Sequence, residues 1–369
     1  MKGNFTIVAL LISILITFMC SEKQEQPEQI NFLNLQNIPE ISLEFVRSIG
    51  DELGDNQYLF KPGSVVRDTE GNLYIFDIFQ HKILKVNKSG KFIISIGSKG
   101  PGPGEFAGGS IYLSIGGNNN LYAWHHDNMR LLEYDMNGNF KKEYDLGDYL
   151  YSLTRKARVV DSIGNVYLYS VDDRKMKFFN QNGEHLFSIQ SKPEWFNFLY
   201  AKFNDISFIR PEHMISFFID EESNQKVLFF EPSSTLVLID KDNRIINEKQ
   251  IIPKNAYEHY IQGRLMRSKG GKKEKSTIQE FHSSFTPFPR GVLFDSEKKR
   301  IYIRFVFKNE KIIPKLVCLN FSGNVLKVIR IIKDLENQII PISFEAKSDE
   351  YFFARGIEKL HIYKEKKNE

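Results

Sequence analysis

A chain of 369 residues that is 41% hydrophobic, 13% aromatic and 26% charged can build a large core, which excludes both a disordered chain and a polytopic membrane protein. A formal net charge of +4 over that length leaves no basic stripe for a phosphate backbone, so no nucleic acid is expected as the main partner. Cys20 and Cys318 are the only cysteines, and a disulfide framework is excluded with them.

In chain order, Lys2 precedes an uncharged apolar run from Phe5 to Met19 that ends at Cys20. The run falls short of the ~20 apolar residues of a membrane-spanning helix, so residues 1–20 read as a secretory signal peptide. Thr17-Phe18-Met19-Cys20 resembles the lipobox of bacterial lipoproteins, with Met19 where that pattern has Gly, Ala or Ser. The resemblance implies lipidation of Cys20, attachment to a membrane through the N-terminal lipid, and a place in the bacterial cell envelope, at the outer membrane. An uncleaved apolar anchor is the alternative, and it too tethers the protein. Residues 21–40, polar and rich in Glu and Gln at their start, read as a flexible tether to a domain over 41–369.

That domain repeats itself. Gly71-Asn72-Leu73-Tyr74 recurs as Asn119-Asn120-Leu121-Tyr122 and as Gly164-Asn165-Val166-Tyr167, the tyrosines being 48 and 45 residues apart. Sixteen residues after each tyrosine stands a glycine, Gly90, Gly138 and Gly183, within Asn87-Lys88-Ser89-Gly90, Asp135-Met136-Asn137-Gly138 and Asn180-Gln181-Asn182-Gly183. Asn, Asp and Gly accept positive φ, so each is a hairpin turn. Asp240-Lys241-Asp242-Asn243 and Asn320-Phe321-Ser322-Gly323 carry the same signal further on. Between turns lie short β-branched and aromatic runs such as Leu73 to Phe76, Lys82 to Val86 and Phe92 to Ile96. Many are continuously apolar, which calls for burial of both sheet faces, as in a blade packed between two blades.

Complete units start near Phe60, Glu105, Ala157, Phe203 and Arg290, and a three-strand unit runs from Ile342 to Tyr363. Leu43 to Gly50 resembles Phe92 to Gly97, the outer strand of the first unit, and supplies the strand the last unit lacks. The expectation is an all-β, six-bladed β-propeller, its ring closed by an N-terminal strand, with seven blades as the second count. A helical insertion is expected between blades 4 and 5, over 253–289. Tyr257, Tyr260, Ile261 and Leu265 share a helical face there, and Pro253 stands near the start.

The first unit resembles an NHL repeat through Asp77, His81-Lys82-Ile83, Gly90-Lys91-Phe92 and the loop Gly100-Pro101-Gly102-Pro103-Gly104-Glu105-Phe106. Lys82 has counterparts in Arg130 and Lys175, where that family has arginine. The chain is also similar to the six-bladed propeller lipoproteins of Bacteroidetes-type envelopes. The first resemblance implies that Asp77 bonds backbone within its own blade. It also opens an enzyme reading, a lyase or lactonase with Ca or Zn at the central channel.

The residues point first to a binding module. Short turns join strands one to two and three to four, so the elaboration gathers at the other strand ends. There lie the loop from Gly97 to Ser110, the His125-His126-Asp127 loop, Asp172-Asp173-Arg174, the Glu221 to Ser234 region and the insertion. Gly97 to Gly104 lacks the Lys-Ser or Lys-Thr of a phosphate loop and reads as a blade connection. Adjacent His125 and His126 point opposite ways in extended chain, so an exposed polar loop outweighs a metal site, and no cofactor is expected. Cys318, within an apolar run, reads as core. From Pro253 to Arg290 eight Lys and Arg face three Glu, and Lys272, Lys273 and Lys275 suit an acidic ligand, partner or headgroup, with a solvated loop as the plain alternative. The expected partner is a small ligand or an envelope protein. No nucleophile elbow is present to favour catalysis.

Overall fold

The computed structural model describes residues 39–366 except 51, 55, 110, 126–129, 145–158, 161–165, 173–174, 181, 183, 189–214, 221–222, 231–234, 252–287, 296–297, 307–314, 332–342, 348–350 and 357. All regular structure among the described residues is β-strand. After β1 (Glu40–Ile49) comes a small hairpin, β2 (Glu52–Gly54) and β3 (Gln57–Tyr58). Four antiparallel sheets of four strands follow. The first holds β4 (Pro62–Arg67), β5 (Leu73–Asp77), β6 (Lys82–Val86) and β7 (Phe92–Ile96). The second holds β8 (Ile111–Ile115), β9 (Leu121–His125), β10 (Arg130–Tyr134) and β11 (Phe140–Tyr144). The third holds β12 (Val159–Val160), β13 (Val166–Asp172), β14 (Lys175–Phe179) and β15 (His185–Ser188), and the fourth β16 (Ile215–Asp220), β17 (Gln225–Phe230), β18 (Thr235–Ile239) and β19 (Ile245–Gln250). A fifth set is β20 (Phe288–Asp295), β21 (Arg300–Val306), β22 (Lys315–Asn320) and β23 (Val325–Ile331). A sixth has three consecutive strands, β24 (Ser343–Lys347), β25 (Tyr351–Arg355) and β26 (Leu360–Glu365), and β1 pairs antiparallel with β26 as its fourth. β1 also runs parallel to β23 over Glu40 to Leu43, which fuses the fifth and sixth sets into one sheet.

The turn between third and fourth strands is the same in five sheets because the same short-range bonds make it. The side-chain Oδ1 of the first turn residue accepts the backbone N–H two and four residues on, at 2.9–3.0 Å for Asn87, Asp135 and Asn180 and 2.8–2.9 Å for Asp240. Asn320 accepts from Asn324 N at 2.8 Å. The fourth turn residue is left-handed, with φ of 82° at Gly90, 87° at Gly138, 64° at Asn243 and 79° at Gly323. Each turn is flanked by a one-residue register shift, as between Lys85 and Val86 or Cys318 and Leu319, which is the bulge that accompanies a left-handed turn residue.

Alternate side chains of each strand pack toward alternate neighbouring sheets. Tyr74 and Phe76 join Leu121, Leu132 and Tyr134 of the second sheet, whereas Leu73 and Ile75 join Phe353, Leu360 and Ile362 of the sixth. In the sixth sheet Phe352, Ala354 and Tyr363 face the other way, onto Leu293, Tyr302 and Leu316 of the fifth. Both faces are therefore dry, which is why β5, β9 and β18 are buried along their whole length. Each such side chain contributes roughly 1.5–3 kcal/mol of burial. The innermost strands lie side by side in the order β20, β24, β4, β8, β12, β16.

β1 occupies toward the first sheet the place that β7 occupies toward the second. A Cβ on Gly138 would stand 2.8 Å from Ile96 and 2.9 Å from Ile94 of β7. A Cβ on Gly90 would stand 3.0 Å from Ile49 and 3.1 Å from Arg47 of β1. Arg47 adds two hydrogen bonds, from Nη1 to Ser89 O at 2.6 Å and from Nη2 to Lys88 O at 3.0 Å. One strand thus touches the fifth, sixth and first sheets.

Two sequence expectations shift. β20 starts at Phe288, so the end of the 253–289 segment is strand, because Phe288 and Pro289 pair with Val306 and Phe305 ahead of a bulge. The helix expected within that segment lies outside the described residues. The Glu221 to Ser234 region is divided by β17 (Gln225–Phe230), and the described Ser223 and Asn224 form a turn between the first and second strands rather than part of the elaborated end.

Candidate functional site

The candidate site is built on Asp77, the fully buried last residue of β5. Its Oδ2 accepts Phe60 N at 2.7 Å and Gln80 Nε2 at 2.9 Å, and its Oδ1 accepts Phe79 N at 2.8 Å and Gln80 N at 3.1 Å. These bonds satisfy a buried carboxylate that would otherwise be costly. They also join the chain entering β4 to the loop between β5 and β6. Gln80 Nε2 reaches Tyr58 O at 2.7 Å, Ile78 N reaches Lys61 O at 2.9 Å, and Lys82 Nζ reaches Gln57 Oε1 at 3.1 Å.

This clamp holds three aromatic side chains out in solvent. Phe79 is 71% exposed, Phe60 50% and Tyr58 42%. Their rings follow one another, with centroids 6.2 Å apart from Tyr58 to Phe60 and 5.6 Å from Phe60 to Phe79. Apolar surface held rigid at a loop end is the usual makeup of a recognition surface. No residue of this trio stood out in the sequence. The available signal was Phe79, an aromatic in a connection where turn chemistry favours polar residues.

The strand position of Asp77 recurs. Asp77 pairs with Lys82, His125 with Arg130 and Asp172 with Lys175, each at the open end of the second and third strands. His125 was expected in an exposed loop; it is instead the last residue of β9 and 1% exposed, held inside by pairing with both Ile111 and Arg130. Asp172 likewise belongs to β13 rather than to a loop. His126, Asp127, Asp173, Arg174, Lys272, Lys273, Lys275 and Cys20 lie outside the described residues. Among the described residues no group of three or more His, Cys, Asp and Glu side chains is placed to hold a metal ion, and among them there is no helix long and apolar enough to cross a membrane.

The Gly97 to Phe106 connection is folded on itself. Phe106 is fully buried edge-on to Phe76 at 5.4 Å, and Arg130 donates from Nη2 to Gly102 O at 3.0 Å while gripping both oxygens of Glu143. The Glu143 carboxylate raises the Arg130 pKa further. Glu105 closes the loop by accepting Gly102 N at 2.9 Å and Ser98 Oγ at 3.2 Å. Its glycines serve close approach, since a Cβ on Gly97 would stand 2.4 Å from Phe106, and the amides of Gly100, Gly102, Glu105 and Phe106 are bonded within the loop. Cys318 is fully buried, and burial pushes its thiol pKa up.

Residues 54–223 match the model of a family described as a six-bladed β-propeller. No curated protein matches the chain. Among solved structures, a candidate exported protein of Bacteroides fragilis shares 15% identity at a TM-score of 0.55, over 89% of this chain and 100% of that one. A Bacteroides vulgatus protein of a family numbered without a function shares 10% identity at 0.51, over 89% and 99%. A catalytically inactive virginiamycin B lyase of Staphylococcus aureus, solved with quinupristin, shares 10% identity at 0.50, over 87% and 99%. At such identities the likeness is one of fold, and with the sheets described above it makes this chain an all-β protein of the six-bladed β-propeller fold.

Proposed function

We propose that the protein is a membrane-tethered binding module of the bacterial envelope, its ring closed by β1, that captures a protein partner or a small ligand through the loop end carrying Tyr58, Phe60 and Phe79. The observation that carries this reading is the clamped, exposed aromatic trio. Free rings in water gain nothing by being held in one geometry, whereas a pre-ordered apolar anchor loses little entropy on binding. The four hydrogen bonds of Asp77 provide that order. The N-terminal signal with Cys20 supports the tether, and the likeness to a candidate exported protein is in keeping with it.

A photo-crosslinking residue placed at Phe79 in the intact, membrane-bound protein tests the proposal in the producing cell. A discrete adduct is expected at Phe79 and none at Ile93, an exposed side chain on β7, the outer strand of the same sheet. Identical adducts at the two positions, or none at either, would refute the site.

A further inference from the structure

We propose that the contact between β1 and β26 is a proton-sensitive latch, in which protonation of His361 loosens the N-terminal strand from the ring. The inference rests on reading β1 as the closing strand. His361 faces Ser48 directly across the antiparallel pair, with 2.9 Å between Ser48 Oγ and His361 Nδ1. The side chain is 6% exposed. The Phe45 ring lies 6.2 Å away and tilted by 60°, beside the register shift between Phe45 and Arg47. On the other side Nε2 is pressed against backbone, since a Cβ on Gly356 would lie 2.2 Å from it. The site fits a neutral imidazole.

Among the described residues the surroundings offer no compensation for a cation. From β1, Glu44 is exposed and Arg47 is turned to the first sheet through Lys88 O and Ser89 O. From β25 the facing residue is Ala354. In the turn before β26 Glu358 is exposed, and the charge that bears on the imidazole is the Lys359 ammonium, of like sign. Further along β26 and β23, Glu365 is bound to Lys327 at 2.8 Å. Burial first, and Lys359 second, hold the His361 pKa below its usual value. The sign follows directly: the unfolded or detached state takes up the proton at higher pH than the closed state. The grip is therefore complete above the ordinary histidine range and is lost as pH falls through it, levelling off once the closed-state imidazole itself protonates. The limit for one proton is tenfold per pH unit.

Amide exchange of the full chain between pH 7.5 and 5, corrected for intrinsic rates, reads the latch. Protection of Ser42 to Ile49 should fall severalfold relative to Leu73 to Asp77 in wild type, and should not fall in His361→Gln. Retention of the same fall in His361→Gln, or an unchanged β1 in wild type, overturns the proposal. A β1 unprotected even at pH 7.5 would instead refute ring closure itself. Should the variant not fold, the wild-type His361 ring is titrated by NMR. A midpoint below that of an ordinary histidine, in step with the loss of β1 protection, is expected, and an ordinary midpoint overturns the latch.

Discussion

Replacing Asp77 by Ala removes the acceptor for three backbone amides and one side-chain amide, so the variant measures how much the clamp contributes. Bonds to a charged acceptor are worth about 1.5–3 kcal/mol each when the donor is left dry. The bonds from the Phe60 and Phe79 amides are only part-buried, so water can replace the carboxylate there, and most of the loss falls on the buried cavity left behind. A total of about 2–4 kcal/mol is expected. Urea unfolding followed by circular dichroism gives that figure, and amide exchange gives its location: Phe60, Phe79 and Gln80 should lose protection while Leu121 to His125 in β9 keep theirs. Asp77→Asn is the stringent companion, because its amide would turn a donor toward Phe60 N or Gln80 Nε2, and it should recover less than half of the loss. A change under about 0.5 kcal/mol, within the range of ordinary surface substitutions, or unaltered exchange at the three amides, would show that the trio is not held by this carboxylate.

Gly71→Ala, at φ 94° with its nearest neighbour at 3.4 Å, should cost the backbone strain alone, about 1–2 kcal/mol, whereas Gly90→Ala, at φ 82° with the new Cβ 3.0 Å from Ile49, should cost more than that. Equal losses at the two sites, measured by thermal melting, would mean that β1 does not press on the first sheet. The Cys318 thiol, raised by burial, should react with iodoacetamide at pH 8 far more slowly in the folded protein than after urea denaturation, and equal rates would refute its burial. Cys20→Ser should abolish incorporation of labelled palmitate, and equal labelling of variant and parent would remove the lipid tether.

Sequence alone determined what depends on neighbours along the chain. The outer turns were legible because a first Asn or Asp bonding the amides two and four residues on, followed by a residue at positive φ, is complete within five positions. Continuous apolar strands showed that both sheet faces are buried, and the likeness of Leu43–Gly50 to Phe92–Gly97 pointed to the outer strand that β1 forms on β26. Only the tertiary structure decided which neighbour each strand meets. A four-residue apolar run such as Leu73 to Phe76 carries no mark that sends Tyr74 to one sheet and Leu73 to another. His125 looked like a loop residue because histidine is polar, and it is buried because two strands pair with it at once. The aromatic trio and the His361 seam join residues 17 and 313 positions apart, through Phe60 N to Asp77 and Ser48 to His361. Such contacts arise from the closing of sheets around one another, and no local propensity encodes them.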